Sequence, residues 1–210
     1  MPSKEVAACT PVPVDPNAFN KAASIPYGVT VVHVRKAMED FIDFLGFING
    51  QLHGRRLERL ESFMMPASFS SLVGEFIGTA IPKHCKTVCR NAYHNGHPDI
   101  IPAGTYPENR IQYGPEGIEV KASRRTNRVE GHNVEESWLM VFAFESNTSR
   151  DVSLGIDPLP FRFTKVIGAK LLKSDWRFSG RSETRRRTIT ARVLPSGFKK
   201  MEANWIYRAQ

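Results

Sequence analysis

Residues 137–145 read SWLMVFAFE, seven apolar side chains in an unbroken row between a serine and a glutamate. A strand with one wet face alternates apolar and polar residues. This run does not alternate, so it is expected to be a central strand buried on both faces. It falls well short of the roughly 20 residues that a membrane-crossing helix needs. The chain has 210 residues, 41% hydrophobic and 24% charged, enough for one sizeable core of the soluble globular kind.

The rest of the sequence supplies helices first and strands after. Val34, Met38, Phe41, Ile42, Leu45, Ile48 and Leu52 recur at spacings of three and four, which predicts helix from about Val31 to Phe63. Gly50 and Gly54 are expected to divide it in two. MPASFSSLVGEFIGTAIP predicts a further helix, capped by Ser68, Ser70 or Ser71 and stopped at Pro82, with Glu75 inside it. Short strands are expected in KTVCRNAY, in DIIPAG from Asp99, and in two pieces of RIQYGPEGIEVKAS around Gly114-Pro115. ITARVLPSGFKKM suggests a hairpin around Pro195-Ser196-Gly197. Residues 1–28, rich in Pro, Ala and Asn, suggest a flexible, extended arm. The expectation is an α/β or α+β protein, a single domain over 29–210 built on one central mixed sheet flanked by helices. Helices lie at the N-terminal side and a basic, β-rich segment at 161–210.

The segment EGIEVKAS, 116–123, puts an acid and a base two residues apart inside a strand pattern. Side chains alternate across a strand, so Glu119 and Lys121 share one face, about 6–7 Å apart at a rise of about 3.3 Å per residue. Ile118, Val120 and Ala122 share the other, toward a core. A solvated surface ion pair of that kind contributes only about 0–1 kcal/mol. Upstream stands Pro98-Asp99, with 19 residues between Asp99 and Glu119.

Pro98-Asp99 followed by Glu119-Val120-Lys121 resembles the PD-(D/E)xK nuclease superfamily, whose best-known members are type II restriction endonucleases. The likeness covers about residues 65–145, with SWLMVFAFE where the family places its next core strand. It implies a restriction-endonuclease-like core and a Mg²⁺-dependent DNA endonuclease, with Mn²⁺ able to substitute. It implies metal binding by Asp99, Glu119 and the Val120 backbone carbonyl, and Lys121 at the scissile phosphate and attacking water. A glutamate on the preceding helix often completes the family site, and Glu75 stands there. The chemistry suits these residue types: Mg²⁺ is a hard cation that takes carboxylate oxygens, and an ammonium group steadies charge developing on a phosphate.

Charge distribution points to the same partner. Residues 161–210 hold 13 Lys/Arg against three Asp/Glu, whereas residues 1–160 hold 16 against 18. A basic excess confined to one end is the footprint of a polyanion such as nucleic acid or an acidic membrane, and the resemblance implies double-stranded DNA. Arg185, Arg186 and Arg187 are expected on the DNA backbone, and Ser123, Arg124 and Arg125 follow the Glu119–Lys121 strand within reach of a phosphate. Trp176, Trp205 and Tyr207 are expected in the core rather than stacked on bases. A homodimer would give one active site per strand. The alternative is a catalytically inactive DNA-binding protein with a nuclease-like fold.

His84, Cys85, Cys89, His94 and His97 crowd one stretch, but Cys-x3-Cys with no second cysteine pair departs from common zinc spacings. Buried thiols and turn histidines are expected instead. Three cysteines, an odd number, and an N-terminal stretch with no apolar signal core fit a reducing cytoplasm and no membrane.

Overall fold

The run 137–145 becomes the middle of the molecule. A computed structural model of the chain describes residues 3–125, 129–131, 133–134, 136–178 and 191–210. In chain order its elements are α1 (Lys4–Ala8), α2 (Val31–Gly54), α3 (Leu60–Phe63), α4 (Pro66–His84), β1 (Val88–Arg90), β2 (Ile100–Pro102), β3 (Ile118–Ser123), β4 (Glu130–Gly131) and β5 (Trp138–Glu145). They continue with α5 (Ser149–Ser153), β6 (Arg162–Lys170), β7 (Trp176–Phe178), β8 (Ala191–Val193), α6 (Pro195–Ala203) and β9 (Trp205–Arg208). The fold is α+β. Six strands form one mixed sheet in the order β1-β2-β3-β5-β6-β9, and β4-β8-β7 form a small second sheet. β3 runs parallel to β5, and all other pairs are antiparallel.

β5 is buried from Trp138 to Phe144 because each face meets a different layer. Met140, Phe142 and Phe144 pack with Val34, Met38, Phe41 and Leu45 of α2 and with Val73, Ile77 and Ile81 of α4. Leu139 and Val141 pack with Ile167, Trp176 and Val193 and with Met201 of α6. Two cores therefore share one strand. Among the described residues no helix is long and apolar enough to cross a membrane.

Several boundaries differ from expectation. α2 runs through Gly50 without a break. One interior glycine costs only about 1 kcal/mol, less than the burial of the helix face recovers. α4 starts with Pro66 at its first turn, two residues before the expected serine caps, and continues past Pro82 to His84. Proline suits a first turn because its missing N–H has no partner there, and in the last turn it removes a single bond. The second half of RIQYGPEGIEVKAS is β3, but the first half forms no strand, only a bridge between Tyr113 and His97. Pro195-Ser196-Gly197 opens α6 rather than a hairpin, with Met201 and Phe198 turned onto the second core.

The expected arm is packed rather than flexible. Ala8, Cys9, Val14, Ala18 and Phe19 are buried, and Phe19 lies 4.8 Å from Tyr207 between ring centroids. Val12 N–H donates to Phe161 O at 2.8 Å, and Asn20 N–H donates to Ile206 O at 3.0 Å. Proline keeps this stretch extended, but its apolar side chains still find the sheet. At its end the Tyr27 hydroxyl accepts from Gly117 N–H at 2.9 Å and donates to Glu116 at 2.7 Å, holding the chain just before β3.

Candidate active site

β3 carries the acid and the base on one face. In its parallel register with β5, Glu119 lies beside Leu139 and Lys121 beside Val141, while Ile118 and Val120 turn to the helical side. Lys121 Nζ donates to Glu119 Oε1 at 2.6 Å. Glu119 is 8% exposed, so this is not the solvated surface pair that two charges on a strand would ordinarily form.

Asp99 reaches the same strand from β2. The β2–β3 ladder holds at a single pair, Ile100 with Ile118. Before Ile100 stand Asp99 and Pro98, and proline has no N–H to extend the ladder. Val120 N–H, which a longer β2 would pair, donates to Asp99 Oδ2 at 2.9 Å. Gly117 makes the close crossing possible. Its φ is +146°, and a Cβ there would stand 2.3 Å from Ile100 O and 3.0 Å from Pro98 Cγ. A substituted residue fits neither the backbone angle nor the space.

The two carboxylates differ in electrostatics. Burial raises the Asp99 pKa to about 7, with the negative charge of Glu119 adding to it and the Val120 amide and Lys121 opposing. Burial also pushes Glu119 upward, but Lys121 and His97 together outweigh that and hold it down to about 2. The pair thus combines a fixed anion with an acid that changes charge near neutral pH.

Glu75 stands on the flank. α4 passes close to β3 at its glycines: a Cβ on Gly74 would lie 3.8 Å from Val120 O, and one on Gly78 would lie 3.9 Å from Asp99 Cβ. Glu75 itself is exposed and ion-paired with Arg90, which also donates to Thr79 Oγ1 at 2.9 Å. Its charge adds slightly to the upward push on Asp99.

The phosphate candidates are dispersed. Ser123 Oγ accepts from Arg125 N–H at 3.0 Å in a tight turn, and Arg125 is exposed. Arg124 instead points inward, donating to Asn147 O at 2.9 Å with Asp151 3.8 Å away. It anchors the segment ahead of α5, an engagement that a phosphate-binding role would have to give up. Arg185, Arg186 and Arg187 lie outside the described residues. Trp176 and Tyr207 are buried, and Trp205 is half-buried under the Arg208 guanidinium.

The histidines and cysteines of 84–97 do not converge. His84 pairs with Asp40 at 3.0 Å, Cys85 meets Thr87 at 3.1 Å, Cys89 donates to Ile101 O at 3.7 Å, and His94 is exposed. Among the described residues no three His, Cys, Asp or Glu side chains gather into a ready-made metal cage. A Mg²⁺ site needs no such cage, because one or two carboxylates suffice when water and substrate phosphate supply the rest. Asp99, Glu119 and the Val120 carbonyl are hard oxygen donors, and two carboxylates forced into mutual repulsion fit a divalent cation.

His97 is a residue that sequence reasoning set among the turn histidines. Its Nδ1 donates to Glu119 Oε2 at 2.9 Å. No local pattern in the sequence signals this contact, because His97 lies in the loop ahead of β2 and reaches Glu119 only through the fold. Compared with known protein families and with curated proteins, the sequence matches none.

Proposed function

We propose that this chain is a metal-dependent endonuclease of the PD-(D/E)xK kind, with a restriction-endonuclease-like core, that hydrolyses phosphodiester bonds in double-stranded DNA. The supporting observation is the meeting of Asp99 with Glu119-Val120-Lys121: a carboxylate on the Val120 amide and an ammonium on Glu119, at the point where β2 leaves β3. Asp99, Glu119 and the Val120 carbonyl are the residues that would hold Mg²⁺ or Mn²⁺. Such an ion, when bound, polarises a phosphoryl oxygen and makes water a stronger nucleophile.

The protein's own groups supply the remainder. Glu119 stays ionised through the whole working range because Lys121 and His97 hold it so. Asp99, raised to about 7, is only partly ionised near neutrality and must be deprotonated to act as a ligand. Lys121 sits on a rigid strand beside both acids, where its ammonium counters charge developing on a pentacoordinate phosphate. The basic excess of residues 161–210 provides sequence-independent attraction for the duplex. A homodimer acting as a restriction enzyme would place one such site on each strand.

The test is incubation of supercoiled plasmid with the protein, in Mg²⁺ and in EDTA. Discrete Mg²⁺-dependent fragments support a sequence-specific endonuclease, and a smear supports a nonspecific one. Retention of DNA without cutting under either condition overturns the enzymatic reading in favour of a catalytically inactive DNA-binding protein.

A further inference from the structure

Glu119 is held at both oxygens, and the two holders differ in kind. Lys121 grips Oε1 at 2.6 Å from the end of a four-carbon stem. His97 grips Oε2 at 2.9 Å with a ring that has almost no freedom. The imidazole stacks on Tyr113, with centroids 5.3 Å apart and planes 19° from parallel. The backbone on either side is tied as well: His97 N–H donates to Gln112 O at 3.0 Å, and His97 O accepts from Gly114 N–H at 2.9 Å.

The loop behind the ring is closed by one buried side chain. Asn91 Nδ2 donates to Pro98 O at 3.0 Å and to Ile111 O at 2.8 Å. Its Oδ1 accepts from Tyr93 N–H at 3.1 Å and from Ile111 N–H at 3.2 Å. Gly96 backs onto this clamp so tightly that a Cβ would stand 2.5 Å from Asn91 Nδ2. Segments 91–98 and 111–114 are thereby fastened together, and His97 is their inward-facing product.

On the nuclease reading above, we infer that His97 is a positioning residue. It fixes the Glu119 carboxylate through Oε2 and leaves Oε1, now paired with Lys121, as the oxygen presented to the divalent ion. His97 itself touches neither ion nor phosphate. Its role is to fix the carboxylate plane, so that binding the ion does not first require freezing a rotating side chain. Outer groups that orient ligating residues in this way are worth about 10–100-fold in metal affinity.

The test is calorimetric titration of Mn²⁺ into the full chain and its His97 variants without DNA, alongside plasmid cleavage and thermal melting. Asparagine places its amide near the position of Nδ1, whereas glutamine places it one bond further out. H97A and H97Q are expected to weaken Mn²⁺ binding by about 10–100-fold, and H97N to recover most of that loss. If H97A fails to fold, the comparison of H97N with H97Q still decides, because both keep a polar group of similar size. Equal Mn²⁺ affinity in H97N and H97Q, whether strong or weak, overturns the inference. Wild-type protein that binds Mn²⁺ and cuts DNA while H97A and H97Q lose no affinity overturns the role of His97 alone. Wild-type protein that binds no Mn²⁺ overturns the nuclease reading and this inference together.

Discussion

Asp99 Oδ2 stands 2.9 Å from the Val120 amide nitrogen, so an aspartate side chain takes a place that a strand carbonyl would otherwise fill. The same departure from the ladder that frees the Val120 amide brings the acid to β3. The candidate site is thus a defect in strand pairing, put to use.

Asp99→Ala, Glu119→Ala and Lys121→Ala should each abolish Mg²⁺-dependent cleavage while DNA retention persists. For Lys121→Ala the expected loss is about 10²–10³-fold, the usual cost of removing a charge-stabilising donor. Single-turnover cleavage with gel-shift controls measures both quantities. A variant cutting within a few-fold of wild type would remove that residue from the site.

Stability of the ion-free protein should depend on pH through Asp99. Its pKa is raised to about 7 in the fold, against 3.8 for an ordinary aspartate. Between these values the native state binds more protons than the unfolded chain, so stability falls as pH rises from about 4 to 7. Glu119 behaves oppositely: held down to about 2, it adds stability that is lost only as pH falls through the range from 4.5 to 2. Asp99→Asn should therefore raise Tm at pH 8 more than at pH 4, by about 2–4 °C for each kcal/mol relieved. Melting curves across that range in EDTA give the answer, and a pH-independent difference would contradict the assignment.

Gly117→Ala should damage fold and site together. The new methyl group meets Ile100 O at 2.3 Å with φ at +146°, a combination that costs about 1–3 kcal/mol even after relaxation. β2 must shift, and Asp99 moves with it. The measurements are Tm and Mn²⁺ affinity, both expected to fall, whereas Gly50→Ala, exposed on α2 with open space around its Cβ position, should leave Mn²⁺ affinity unchanged.

Replacing Arg185, Arg186 and Arg187 by alanine should weaken binding to every DNA sequence by a similar factor. The slope of log affinity against log salt should flatten by about 0.9 for each phosphate that the variant no longer neutralises. Fluorescence anisotropy at several salt concentrations measures it. Weakening for one sequence only would place these arginines on base edges instead.

Much of this was legible in residue order. The unbroken apolar run of 138–144 announced β5, and alternation across Ile118–Ala122 put Glu119 and Lys121 on one face. What periodicity could not convey were contacts set by the return of distant chain. His97 meets Glu119 only because Asn91 fastens its loop to residue 111, a bond that no local pattern encodes. Arg124 looked like a phosphate ligand because its inward partners, Asn147 and Asp151, lie more than 20 positions away. Proline misled in both directions: it marked residues 1–28 as loose when their apolar side chains dock, and it marked 195–197 as a turn when proline in a first turn starts a helix.

The docking of residues 12–20 against residues 161–207 has a consequence for synthesis. Asn20 donates to Trp205 O across 185 positions. A ribosome releases the first partner long before the second exists. Until Tyr207 emerges, Phe19 has no ring to lie against, and the outer edge of β6 has no strand beside it. A nascent chain therefore carries an open sheet edge and uncovered aromatic surface, the features through which growing chains stick to one another. Pairings of such long sequence separation also form late, since loop closure must precede any gain. Residues 19 and 20 can come to rest only after residues 205–207 have been made.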